Sequence, residues 1–353
     1  MMYSRRDYLK LMLAGAATAT LTWGCSERAS SRVVTVFHLP ATFSRRSGYL
    51  TANITGALEP GTKASYQVNG GEWRQIMHAP PRNPEPFFTI ELSLNELLPG
   101  RNRVTIRCED GAGCAETLPL DFRYDPSPIA LPLRVNWAGA DLDVGDGQWE
   151  TFNDGKIWRV RPAPGFETYD RLLIVTGTFP GARRIKTDMT YRGRGDSKKN
   201  KPFGFGVLPM WGGHTDTETT VPRRGWNYSI CWYYSKYAGL GSEFSFKLGD
   251  EAPRWVSAYR NIDLQQDQKF FLEIEVWSDK DNQGQHRRYV QRFRWRADDS
   301  ASWGEWLEIA DNAGGNLPEG EYAVALVAHR CQVEFGSVTV EPLLPGDAPP
   351  DCR

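Results

Sequence analysis

Short apolar runs that alternate with polar and turn residues, most of them at a period of two, dominate the chain and predict strands rather than helices. The first set falls at residues 33–37, 48–55, 64–68, 87–92, 103–107 and 117–124, the rhythm of a β-sandwich of about seven short strands. Tyr66-Gln67-Val68-Asn69-Gly70-Gly71-Glu72-Trp73 sets an Asn-Gly turn between two of these runs, a strong hairpin signal. Pro126 and Pro128 then restrict the backbone and remove donors, so residues 125–128 read as a short stiff linker. A second set follows at 158–161, 172–179, 184–192, 203–208, 228–234, 243–248, 270–278, 288–297, 322–328 and 332–340, with no helix-period segment between its members. The pattern predicts an all-β protein with one sandwich at 33–124 and a larger one of two packed antiparallel sheets at 129–343.

Two neighbouring runs carry charge in register with this period. In Phe271 to Asp279, Glu273, Glu275, Trp277 and Asp279 share one face, and Leu272, Ile274 and Val276 share the other. In Tyr289 to Arg296, Tyr289, Gln291, Phe293 and Trp295 oppose Arg292, Arg294 and Arg296. If the two strands are neighbours, the arginine ridge pairs with the acidic face across the ladder and both become structural. Thirteen Trp, fourteen Tyr, 34 Gly and 23 Pro favour short strands and tight turns. A formal net charge of −1 over 353 residues excludes a basic nucleic-acid binder.

The candidate chemistry centres on the stretch from Met210 to Tyr234. Aromatic faces stack on pyranose rings, while His, Asp and Arg supply directional hydrogen bonds or charge. Trp211, His214, Asp216, Arg224, Trp226, Trp232 and Tyr234 offer that mixture for carbohydrate. Trp232 and Tyr234 share a strand face and Tyr233 takes the other, so one of the two sets belongs to the core. Glu273 and Glu275, with His214, are the catalytic candidates if the protein is an enzyme. Retaining glycoside hydrolysis needs two carboxyl groups roughly 5–5.5 Å apart. A polysaccharide lyase would instead need a uronate neutraliser, from Arg192, Arg194, Lys198, Lys199 and Lys201, and a base from His214, Tyr233 or Tyr234. Asp141, Asp143 and Asp146 have the spacing of calcium ligands without a complete EF-hand loop, which leaves structural calcium open. Cys108 and Cys114 flank a turn and are positioned to form a disulfide across a hairpin.

Ser4-Arg5-Arg6-Asp7-Tyr8-Leu9-Lys10 and the short apolar run after it resemble a twin-arginine export signal, and Leu21-Thr22-Trp23-Gly24-Cys25 resembles a lipobox. The resemblance implies a signal at 1–25, lipidation of Cys25, a tether at 26–32 and a lipid-anchored place in the periplasm or on the outer cell surface. Leu98 to Ile106 with Asp110-Gly111-Ala112-Gly113 resembles bacterial immunoglobulin-like modules, which space and orient a neighbour. Arg171 to Val175, Gly177-Thr178-Phe179, Lys186 to Met189, Phe203 to Val207, Gly320 to His329 and Val333 to Val340 are together similar, in order, to concanavalin A-like lectin/glucanase domains, the laminin-G-like jelly-roll sandwiches. Glucanases of that fold use an acidic strand of the form E-x-D-x-x-E. Here Glu275 stands at the middle position and Asp279 lies one residue beyond the last. The resemblance implies an exported carbohydrate-binding protein acting on extracellular or cell-wall polysaccharide. A glycoside hydrolase or polysaccharide lyase is the alternative, and a structural or protein-binding module the next. The tail is 344–353.

Overall fold

The structure is a computed structural model that describes residues 33–78, 86–109, 115–139, 141–164, 170–180, 182–195, 203–214, 229–235, 240–246, 254–256, 265–310 and 319–343. Cys25 and the signal-like segment lie outside the described residues. One short 3-10 turn, Leu94–Glu96, is the only helical element among the described residues, and everything else of regular structure is strand.

Eight strands make the N-terminal sandwich: β1 (Val34–His38), β2 (Thr42–Phe43), β3 (Ala52–Leu58), β4 (Lys63–Val68), β5 (Arg74–Gln75), β6 (Phe87–Leu92), β7 (Gly100–Glu109) and β8 (Ala115–Tyr124). They form two sheets, of order β1-β3-β6 and β2-β8-β7-β4-β5. Alternate residues of each close on one interior, with Val36, Ile54 and Ile90 from the first sheet meeting Tyr66, Val104, Ile106 and Phe122 from the second. Between β4 and β5, Asn69 and Gly70 both take positive φ, 49° and 79°, as an Asn-Gly turn of the primed type requires. Cys108 is an inward residue of β7, with a free and buried thiol that burial, and then Glu116, push up to about 11. The Cys108 side chain is part of the core layer; its expected partner, Cys114, lies outside the described residues.

Fifteen strands follow: β9 (Leu133–Val135), β10 (Asp143–Asp146), β11 (Trp149–Asn153), β12 (Trp158–Pro162), β13 (Asp170–Phe179), β14 (Arg183–Arg194), β15 (Gly204–Trp211), β16 (Ser229–Ser235), β17 (Leu240–Phe246), β18 (Arg254–Val256), β19 (Lys269–Lys280), β20 (His286–Arg296), β21 (Leu307–Ala310), β22 (Tyr322–His329) and β23 (Cys331–Pro342). A seven-stranded sheet runs β10-β13-β22-β15-β16-β17-β18, and an eight-stranded sheet runs β11-β12-β23-β14-β19-β20-β21 with β9 beside β23. Their facing sides share a large interior built around Leu173, Val207, Leu326, Ile274, Phe293 and Phe335. All four sheets are thus strand layers packed face to face, and the fold class is the all-β double sandwich that the hydropathy pattern predicts.

β22 reads as a continuous apolar run because it is buried on both faces. Tyr322, Val324, Leu326 and Ala328 enter the interior between the sheets. Ala323, Ala325 and Val327 enter a second apolar layer on the opposite face, together with Leu172, Ile174, Leu208, Trp211 and Leu50. Leu50 comes from the N-terminal sandwich, so that sandwich covers part of the seven-stranded sheet directly rather than standing off as a spacer. This also explains why the predicted strand 48–55 begins only at Ala52: Tyr49 forms an isolated bridge with Gly213 and Leu50 is drawn into the layer beneath.

Candidate functional site

The seam between the two sandwiches is built as a polar ring around the Leu50 plug. Arg45 holds the Glu321 carboxylate through two bonds of 2.8 Å, and Arg46 pairs with Asp143. The Asn53 amide donates to the Gly145 carbonyl at 2.8 Å, and the Thr178 amide donates to the Arg45 carbonyl at 2.9 Å. The backbones come so close that glycine is required at two points. A Cβ on Gly177 would lie 2.1 Å from the Arg45 carbonyl oxygen, and one on Gly213 would lie 2.2 Å from that of Tyr49.

His214 sits immediately after that second contact and is fully buried, 0% exposed. Its Nε2 is 3.0 Å from Asp146 Oδ2 on β10, and its Nδ1 is 3.1 Å from Glu91 Oε1 on β6 of the other sandwich. The Asp146 contact has hydrogen-bond geometry. The Glu91 carboxylate faces the other ring nitrogen as the second anion, and contributes through hydrogen bonding and then charge. Burial works against the ring's charge, but Asp146 and then Glu91 outweigh it and raise the pKa to about 9. At neutral pH His214 is an imidazolium clamped between two buried carboxylates, one from each sandwich. Trp211 is equally buried, its indole edge-on to the His214 ring at 5.3 Å. Neither residue lines a glycan groove: the adjacent sandwich has claimed the face on which they stand.

The outer face of the eight-stranded sheet holds the acidic strand. β19 and β20 are antiparallel neighbours, with Glu273 opposite Arg294 and Glu275 opposite Arg292. Glu275 is 0% exposed and receives Arg184 from β14, at 2.6 Å, as well as Arg292. Glu273, at 3% exposed, is held by Arg294 at 2.6 Å and Arg184 at 3.3 Å. The face is only partly solvated, because aromatic rings interleave with the guanidinium groups above it. Arg292 and Arg294 lie 4.4 and 4.3 Å from the Trp306 ring centroid, and Arg294 and Arg296 lie 5.0 and 4.8 Å from that of Trp303. Sequence reasoning passed over Trp303 and Trp306, whose only signal is a W-x-x-W spacing directly after the basic strand. With each carboxylate engaged by two guanidinium groups, Glu273 and Glu275 lack the open space and free oxygens that glycoside hydrolysis needs. Glu275→Gln is expected to cost about 2 kcal/mol in a urea titration, discounted for the partial exposure of its arginines, by leaving Arg184 and Arg292 short of a counter-charge.

The other candidates divide similarly. Asp143 pairs with Arg46, Asp146 with His214, and Asp141 accepts from the Ala41 amide at 3.1 Å, so the three carboxylates point to separate partners and do not fit one calcium ion. No group of His, Cys, Asp and Glu among the described residues is arranged to hold a metal. Arg192 of the basic run is held by Glu334 at 2.8 Å and Asp267 at 2.9 Å, not left for a uronate. Trp232 and Tyr234 stand on β16 in register with Val207 and Phe205, both members of the interior layer, and Tyr233 is in register with Gly206. Asp216, Arg224 and Trp226, with Lys198, Lys199 and Lys201, lie outside the described residues.

These features define a two-unit β-sandwich protein with a charged interdomain seam and no assembled catalytic group among the described residues. No family model matches the chain, and no curated protein matches it. Among solved structures, it is similar to the carbohydrate-binding module CBM66 from Bacillus subtilis at 14% identity, with 57% of this chain and 94% of that chain covered and a TM-score of 0.36. It is similar to the exoplasmic/lumenal domain of VIP36 in its Ca2+/Man2-bound form at 15% identity, covering 62% and 87%, with a TM-score of 0.39. A legume lectin-like domain from Entamoeba histolytica matches at 9% identity, covering 57% and 90%, also with a TM-score of 0.39. At these identities and scores the likenesses say nothing of ligand or chemistry.

Proposed function

We propose that the chain is an exported, lipid-anchored protein that binds polysaccharide without cleaving it, through the segment 215–228 that carries Asp216, Arg224 and Trp226. The observation that carries this reading is the commitment of Glu273 and Glu275 to guanidinium pairs, which removes the carboxylate pair that hydrolysis would use. What remains is a mixture of aromatic, acidic and basic side chains suited to pyranose faces and hydroxyls, and it follows directly on a clamped His214. Export and anchoring rest on Arg5-Arg6 and on the lipobox-like Cys25.

The test is retention of the purified protein in gels cast with neutral and uronate polysaccharides, read beside the release of reducing and unsaturated ends. Retention without product is expected. Trp226→Ala or Arg224→Ala should weaken it by about tenfold, the loss of one stacked ring or one charged hydrogen bond. Saturated products would establish a hydrolase and unsaturated ends a lyase, and the absence of both retention and product would favour a protein-binding module.

A further inference from the structure

We propose that the N-terminal sandwich is a charge-operated clamp on the seven-stranded sheet, closed while His214 is an imidazolium and released when the ring loses its proton. The geometry requires the charge. Glu91 and Asp146 approach opposite nitrogens of one ring at 3.1 and 3.0 Å, and both carboxylates are nearly as buried as the ring itself. An imidazolium presents N–H on both sides; a neutral imidazole presents one N–H and one lone pair. Deprotonation therefore turns a lone pair towards one buried carboxylate, in a place with almost no water to relieve it.

His214 stands between these two acids. Glu91 faces it from β6 and Asp146 from β10, while β15 contributes the uncharged Trp211 indole and Tyr49 presents its backbone to Gly213. Elsewhere in the seam Arg46 pairs with Asp143 and Arg45 with Glu321, and the buried Arg171 packs against Gly147, beside Asp146, with its guanidinium donating to the Cys331 carbonyl. The ring's raised pKa, about 9, places the release in the alkaline range. Release lifts Leu50 from the layer that contains Leu172, Ile174 and Trp211, so an apolar face of the sheet becomes accessible only in the open state.

The experiment is small-angle X-ray scattering of the full chain from pH 7 to 10.5, with far-UV circular dichroism on the same samples to separate opening from unfolding. The opening constant should rise about tenfold per pH unit above the ring's titration, the slope for loss of one proton. The radius of gyration should therefore grow above about pH 9 while the strand signal holds, and should recover on return to pH 7. Glu91→Gln should remain compact throughout, because a neutral ring satisfies one carboxylate and one amide. His214→Gln should be more open at pH 7 and insensitive to pH. A wild-type chain that stays compact to pH 10.5, or a Glu91→Gln variant that opens alongside it, overturns the proposal.

Discussion

His214→Ala is expected to cost about 3–5 kcal/mol at neutral pH, the range for removing one partner from a buried ionic cluster. The substitution leaves Glu91 and Asp146, both buried, facing each other across an emptied site with no cation between them. The sign of the pH dependence follows from the direction of the shift. The folded-state pKa is raised to about 9 from the ordinary histidine value of 6.5, so the ring's contribution is complete below about pH 6.5 and is lost as pH rises through about 9. Integrated over that interval it amounts to about 3 kcal/mol. Urea titrations at pH 7 and pH 10 check both statements: the wild type should lose this stability between the two, and His214→Ala should change far less. A wild-type stability that is flat across the interval would mean that the ring is neutral in the seam.

Removing the N-terminal sandwich should have an equally large effect, of a different kind. A fragment that begins at Ile129 keeps both sheets of the C-terminal sandwich but uncovers Leu172, Ile174, Leu208, Trp211, Ala323, Ala325 and Val327 on the outer face of one of them. A contiguous apolar face on a strand layer is a self-association surface. Sedimentation of the fragment should show species larger than its own monomer, and Leu172→Lys with Ala325→Glu in the fragment should restore the monomer. A monodisperse wild-type fragment would show that the N-terminal sandwich is dispensable cover.

The strands were legible where one face is polar. β7, β19 and β20 alternate clearly, and the alternation placed Glu273 and Glu275 on the face that meets Arg292 and Arg294 before any register was known. Short polar strands were not legible: β10 is Asp-Val-Gly-Asp, and β2, β5 and β21 hold too few residues to show a period. His214 and Trp211 are buried, and the reason is not local. His214 lies in a local stretch rich in aromatic residues, and a linear reading pairs it with those neighbours. Its real partners are Asp146, 68 residues away, and Glu91 in another sandwich. Arg45 meets Glu321 across 276 residues for the same purpose. Trp303 and Trp306 escaped notice because positions three apart on a strand face opposite ways. They reach one guanidinium ladder only because the chain between β20 and β21 leaves the strand path.

With these contacts the two sandwiches are expected to unfold as one cooperative unit at neutral pH, fastened at His214. Differential scanning calorimetry of the full chain at pH 7, beside His214→Ala, tests this most directly. The expected trace is a single transition for the wild type that splits into two in the variant, the earlier belonging to the N-terminal sandwich. Two independent transitions in the wild type, with neither moved by His214→Ala, would contradict it.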